Sequence, residues 1–347
     1  MKIELNRLKF GYDIVVVGGG AAGCSFLGSL ADNKYSTLMI DSRSFPRFKA
    51  CSGILVNNSK GFFSGASLPP EVLSKPSAID IVYQDWASNS EKHVKKNFIN
   101  TCRKELDNWL FSKVLDKNMS ILENTKLVDF FYTHDKNLIV LLLEHNGKTT
   151  SVVTKYLVGC DGALSIVRKK IFSKNIRYYV AIQELISGFK LDRAYFIFDD
   201  EITDFYGWLI PKGDCVEIGA AVSPFKAKEK FDLFKKKVSE KFGITGDGKI
   251  ESAIVLRPSS LDEIFLGKDS IFLCGEAAAL ISPSSAEGIS YALLSGKYCA
   301  EAFNSNLKSK MESYKEKCKP LLKRLNKKFI KSRKMGNPED RKLIFGG

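Results

Sequence analysis

The seven residues Val17-Gly18-Gly19-Gly20-Ala21-Ala22-Gly23 decide the fold. Just upstream, Tyr12 to Val17 is a continuous apolar, β-branched run closed by glycine, the pattern of a buried parallel strand. Just downstream, small residues from about Ala21 read as a helix. Between them, Gly18, Gly20 and Gly23 satisfy G-x-G-x-x-G, with Ala22 in the same turn. The first glycine allows the tight turn, the second lets a phosphate approach the backbone, and the third packs helix on strand. Unpaired N–H groups at the helix start, carrying roughly half a positive charge, suit a pyrophosphate. Ser36 to Ile40 reads as a second strand that ends in Asp41. An acid about twenty residues beyond the glycines is placed to grip a ribose 2′-hydroxyl. Together these features predict a dinucleotide site, without choosing NAD over FAD.

Ile14 to Ala31 holds no charged residue and follows Lys2, Arg7 and Lys9, which invites reading it as a signal peptide or a membrane span. Asp13 at its edge and the glycine triplet inside it favour strand, turn and helix instead. The 347 residues allow two domains at roughly 150 residues each. With 44% apolar and 27% charged residues, the chain falls outside the disordered and fibrous classes. The net charge of +14 is concentrated: from Asn306 to Gly347, 14 Lys and Arg face 4 Asp and Glu. What remains is no footprint for a nucleic-acid groove, so no nucleic-acid partner is expected. Eight cysteines lack the short spacings of metal knuckles, so no metal is expected and the thiols read as reduced, in a cytoplasmic protein.

Three later segments repeat one theme. Leu157 to Arg168 reads as a strand that delivers Asp161 and Gly162 into a turn before a short helix. Ile271 to Ala278 is an apolar strand ending in Glu276, and Pro283 to Ile289 follows, with Glu287, Gly288 and Ile289 opening a small-residue helix to about Phe303. Each puts an acid or glycine at the C-terminal end of a strand, where open α/β sheets bind ligands. Asp41 and Asp161 are also ordinary turn residues, but their strand-end positions favour cofactor contacts.

In this order the segments resemble the flavoprotein superfamily that includes para-hydroxybenzoate hydroxylase, flavin-dependent halogenases and geranylgeranyl reductases. The resemblance covers nearly the whole chain and implies one FAD, surrounded by the glycine fingerprint, the Asp-Gly turn and the late Glu276 segment. Two segments are similar to the geranylgeranyl reductase group. Phe-Pro-Arg-Phe-Lys-Ala-Cys-Ser-Gly at Phe45 to Gly53 resembles the Lys-x-Cys-Gly-Gly segment near the flavin. Tyr-Gly-Trp-Leu-Ile-Pro-Lys at Tyr206 to Lys212 resembles the Tyr-x-Trp-x-Phe-Pro signature, which implies that Tyr206 and Trp208 line the substrate cavity. Arg103 matches an arginine that helps to hold FAD. Ser52, Ile210, Glu276 and Ala286 depart from the pattern, standing where the group has glycine, phenylalanine, aspartate and glycine.

The implied fold class is α/β: a Rossmann-type FAD-binding domain with an inserted antiparallel-sheet substrate domain, as in para-hydroxybenzoate hydroxylase, and a basic C-terminal helical tail. The FAD domain is expected from residues 1–75, 101–172 and 250–305, the substrate domain from 76–100 and 173–249, and the tail from 306–347. In the substrate domain, 178–189, 194–199, 206–211 and 215–222 read as strands. The tail reads as a helix over 307–335, with Leu321, Leu322, Leu325, Phe329 and Ile330 at helical spacing and Pro320 expected to kink or restart it. Packing on the body outweighs a membrane-surface role for it, although its charge admits peripheral contact with a membrane.

No second glycine fingerprint follows a strand, so there is no separate nicotinamide domain and electrons are expected from an external donor, NAD(P)H or a redox protein. His93, His134 and His145 lie in no catalytic motif. Cys51 suits either packing or chemistry, and the resemblance places it near the flavin ring as a proton donor. The leading reading is an FAD-dependent reductase of carbon–carbon double bonds acting on an apolar, isoprenoid or lipid-like small molecule. Reduced flavin would supply hydride to one alkene carbon and an acid would protonate the other. A second reading is an oxygen-using monooxygenase or halogenase, since Tyr206 to Pro211 half-matches the halogenase Trp-x-Trp-x-Ile-Pro signature. Halogenases need an active-site lysine, which no motif here locates. A third reading is a flavin-binding protein without turnover.

Overall fold

A computed structural model of the chain describes residues 1–56 and 68–345. Residues 57–67, inside the first stretch assigned to the FAD domain, and 346–347, in the tail, lie outside the described residues.

Among the described residues, two eight-stranded sheets carry the molecule. In the first, five strands run parallel in the spatial order Ser120–Leu122, Thr37–Ile40, Gly11–Val17, Lys148–Gly159 and Ile271–Leu273. The order steps outward on both sides of the first strand, which leaves a crevice at the C-terminal ends where the direction of winding reverses. These strands are apolar where helices cover them: Ile14, Val15, Val16, Leu38, Met39, Ile40 and Leu157 have no exposed surface. Helices Ala21–Ser29 and Ile289–Asn304 pack so closely that a Cβ on Gly296 would stand 2.3 Å from the Ala22 carbonyl oxygen. The hairpin Thr125–Tyr132 and Ile139–His145 extends Lys148–Gly159 in antiparallel fashion.

The second sheet runs Ile250–Leu256, Tyr178–Ser187, Cys215–Val222, Thr203–Pro211, Ala194–Asp199, Leu73–Asp85, Ser90–Thr101 and Ile54–Leu55. It is antiparallel except where Ala194–Asp199 lies parallel to Leu73–Asp85. It draws Ile54–Leu55 and Ile250–Leu256 from stretches expected in the cofactor domain. Helix Ala227–Phe242 seals its outer face through Phe231, Phe234 and Val238. Its inner face, with Ile81, Phe98, Phe198, Tyr206 and Trp208, turns toward the crevice of the first sheet.

The C-terminal segment forms helix Lys310–Met335, uninterrupted at Pro320, and helix Pro338–Phe345. Pro320 does not end the longer helix because Cys318, Leu321, Leu325 and Phe329 keep one face buried across it. Most of the charged residues take the other face. The segment is thus a packed wall of the body with a basic outer surface.

Candidate functional site

A cavity of about 630 Å³ lies between the sheets. Its floor is the glycine turn. Gly18 takes a φ of +103° and Gly23 would drive a Cβ to 2.0 Å from the Gly18 carbonyl oxygen, so both positions are closed to side chains by the protein itself. Gly20 is different: a Cβ there meets nothing nearer than Arg47 Nη2 at 3.5 Å, and the residue faces the cavity. Gly20 also caps helix Ala21–Ser29, and no side chain bonds to that helix end, which leaves first-turn N–H groups for a ligand. Asp41 accepts from Gly19 N–H at 2.8 Å and Arg43 N–H at 2.9 Å, with Arg47 3.7 Å away.

Of the residues singled out in the sequence, Gly20, Ala22, Cys51, Arg103, Gly162, Tyr206, Trp208, Glu276, Gly288 and Ile289 converge on the cavity. Gly18, Gly23, Asp41 and Asp161 stand outside its wall and hold the strand-end turns. Asp161 Oδ2 accepts from Ile166 N–H at 2.8 Å, so it fastens the start of helix Ile166–Ile171. Its Oδ1 is buried with no partner, and burial pushes the carboxyl up. Glu276 reaches across to the second sheet, where Oε1 accepts from Leu256 N–H at 2.8 Å; burial raises this carboxyl too, against the pull of Lys49. Arg103 is held by Asp107 through a forked contact at 2.9 to 3.1 Å and reaches the Cys51 thiol. Tyr206 donates to the Ser285 carbonyl at 2.7 Å, and Trp208 Nε1 donates to Glu217 Oε1 at 3.0 Å while its ring occupies the space left by Gly219. Ala286, in place of the family's glycine, sits at a φ of +44°.

Sequence reading missed two cations in the quoted segment Phe45 to Gly53. Arg47 stacks over Phe45 at 4.7 Å and approaches Asp41 and Asp107, and its Nε is buried without a partner. Lys49 lines the cavity, and burial together with Arg103 holds its ammonium below the usual lysine range. Two basic residues at alternate positions before Cys51 were the available signal. Also missed were Arg324, Lys328, Lys331 and Met335, through which the C-terminal helix walls the cavity. The uncapped helix, the open space over Gly20 and the buried partnerless Nε of Arg47 beside it fit a dinucleotide cofactor.

Comparison with known proteins agrees. Residues 11–177 match the FAD binding domain family. Protein CbrA of Escherichia coli O9:H4 (strain HS) is 30% identical over 343 residues, covering 96% of this chain and 93% of that protein. A geranylgeranyl bacteriochlorophyll reductase-like protein from Thermoplasma acidophilum superposes with a TM-score of 0.80 at 18% identity, over 96% of this chain and 89% of that one. The p-nitrophenol 4-monooxygenase PnpA from Pseudomonas putida superposes with a TM-score of 0.72 at 15% identity, over 97% and 93%. The flavin-dependent brominase Bmp2 does so with a TM-score of 0.68 at 16% identity, over 97% and 92%. At these identities the three structures share a fold with this chain.

Proposed function

This chain belongs to the family of the CbrA proteins and carries an FAD binding domain over residues 11–177, and we propose that it reduces carbon–carbon double bonds of a lipid-like or isoprenoid molecule. The observation that carries this reading is the wall of the cavity beyond the cofactor end. Ile54, Val56, Ile81, Phe98, Phe196 and Phe198 offer a hydrocarbon-complementary surface continuous with Cys51 and Arg103. Each methylene buried against such a surface is worth about 0.8 kcal/mol.

The residues divide the work. Gly20 and the open helix end receive the pyrophosphate, with Arg47 and Lys49 beside it. FAD held there would, when reduced, supply hydride chemistry. Cys51 then delivers the proton, with Arg103 fixing the orientation of its thiol and Asp107 fixing Arg103 in turn. Tyr206 and Trp208, tied to Ser285 and Glu217, hold the roof shut against water. The electrons come from an external donor.

An oxygen-using reading is favoured by one observation: Lys49 lines the cavity, the residue type that a halogenase requires. Anaerobic single turnover separates the two. Protein reduced with dithionite under argon and mixed with a C20 isoprenoid is expected to reoxidise and to yield a product with two more hydrogens. Reoxidation only in air, with a hydroxylated or halogenated product, would establish the second reading.

A further inference from the structure

Lys212 directly follows the roof strand Thr203–Pro211, and its ammonium reaches into the turn that carries Cys51. It donates to the Ser52 carbonyl at 2.8 Å, to Asn100 Oδ1 at 2.8 Å and to the Thr101 carbonyl at 2.9 Å. All three N–H groups are thus spent on neutral oxygens. Burial pushes the ammonium below the usual lysine range, against the pull of Glu217. Enclosing a cation is costly, and what the charge supplies in return is charge-assisted hydrogen bonds, which are shorter and stronger than neutral ones. The bonds join parts of the chain that are distant in sequence. Asn100, which has no exposed surface, donates from Nδ2 to the Pro211 carbonyl at 2.8 Å and to the Pro76 carbonyl at 3.0 Å. Thr101 Oγ1 donates to the Gly53 carbonyl at 2.6 Å. Gly53 takes a φ of +69°, and a Cβ on it would stand 2.3 Å from the Thr101 carbonyl oxygen. The carbonyls of both residues that follow Cys51 are therefore fixed, Ser52 by Lys212 and Gly53 by Thr101.

We propose that Lys212 is the positioning residue for Cys51: through the Ser52 carbonyl it sets where the thiol stands against Arg103 and beneath the roof formed by Tyr206 and Trp208. Lys212 is not among the side chains that line the cavity, so it acts through that peptide and not on the substrate. The inference rests on the reading of Cys51 as the proton donor and adds the residue that makes the delivery accurate. Misplacing a reacting group by about 1 Å costs up to about 10²-fold in rate. A loosened turn therefore slows protonation without weakening the hold on the alkene.

The test is a double-mutant cycle on the full-length, FAD-loaded protein, reduced with dithionite under argon and mixed with geranylgeraniol, a C20 isoprenoid alcohol. Lys212→Met, similar in length and uncharged, is expected to keep FAD and a cooperative melt. It should slow reoxidation by about tenfold to 10²-fold while the geranylgeraniol concentration at half-maximal rate stays within about twofold of native. In the Cys51→Ser background the same substitution should change the rate by less than about twofold, because the group it positions is gone. Equal slowing in both backgrounds would overturn the proposal, since Lys212 would then act on the roof or the cofactor and not through Cys51. A native rate in Lys212→Met would overturn it as well. If Lys212→Met loses FAD, Lys212→Gln, which keeps an amide donor, takes its place in the cycle with the same two outcomes. If both variants lose FAD, Lys212 is a strut of the fold and the proposal falls. Native protein that geranylgeraniol does not reoxidise would bring down the reductase reading, and this proposal with it. Native turnover matched by Cys51→Ser would leave the reductase reading standing and remove only the roles of Cys51 and Lys212.

Discussion

At the scale of single residues, the glycines of the turn have different work. Gly18 and Gly23 leave no room for a Cβ within the protein, whereas Gly20 does. Gly20→Val is therefore expected to fold but to lose FAD, read as the loss of flavin absorbance per protein after reconstitution; normal flavin content would move the pyrophosphate elsewhere. Ala286 is strained in a different way. A non-glycine residue in the left-handed region costs about 1–2 kcal/mol, partly offset on substitution by the greater freedom of glycine in the unfolded chain. Ala286→Gly should raise stability by roughly 0.5–1 kcal/mol, seen as a higher melting temperature. Cys51 carries the chemical prediction. Cys51→Ser should keep FAD and dithionite reduction intact, yet slow reoxidation by alkene under argon by about 10²-fold or more, because the hydroxyl is a weaker acid. Reoxidation at the native rate would make Cys51 a packing residue.

At the scale of elements, helix Pro338–Phe345 is fastened by a buried ion pair. Arg341, 1% exposed, donates from Nε to Asp85 Oδ2 at 2.8 Å and from Nη1 to the Met335 carbonyl at 3.1 Å, and Asp85 itself has no exposed surface. Arg341→Met leaves that carboxylate unpaired, and such a loss costs about 3–5 kcal/mol. Adding Asp85→Asn should recover much of it, since the amide oxygen still accepts from Ala87 N–H and Ser88 N–H while the charge is gone. Denaturant titrations of the single and double variants measure both steps; a single variant within about 1 kcal/mol of native would mean that the pair is fully solvated.

For the whole molecule, the C-terminal segment closes the core. Met311, Tyr314, Cys318, Leu321, Leu325, Phe329 and Met335 are buried, and the Tyr314 hydroxyl donates to the Leu273 carbonyl at 2.8 Å, at the end of the strand that precedes Glu276. Burial of these side chains contributes on the order of 10 kcal/mol, comparable to the net stability of a domain. Removal of residues 306–347 is expected to abolish cooperative unfolding and FAD retention, followed by circular dichroism and flavin absorbance. A truncated protein that melts cooperatively with bound flavin would show that the body closes without this wall. Among the described residues, no helix is long and apolar enough to cross a membrane.

The sequence by itself determined the dinucleotide turn, the parallel sheet and the order of the motifs, because each is a local event: glycines where backbone meets backbone, β-branched runs where strands are buried on both faces, acids at strand ends. Strands 194–199 and 215–222 were legible for the same reason, since alternation and turn residues lie within one window. Tertiary structure alone decided the rest. That Ile250–Leu256 joins the second sheet depends on pairing with Tyr178–Ser187, far away in sequence. That Arg47 and Lys49 are enclosed, and that Glu276 turns to Leu256, depends on the second sheet closing over the first. The apolar spacing of the basic C-terminal helix already placed it against the body; only the fold shows that Arg324, Lys328 and Lys331 face the cavity. A side chain's partner is a property of the folded chain whenever the two are distant in sequence, as with Tyr206 and Ser285 or Glu276 and Leu256 in this cavity.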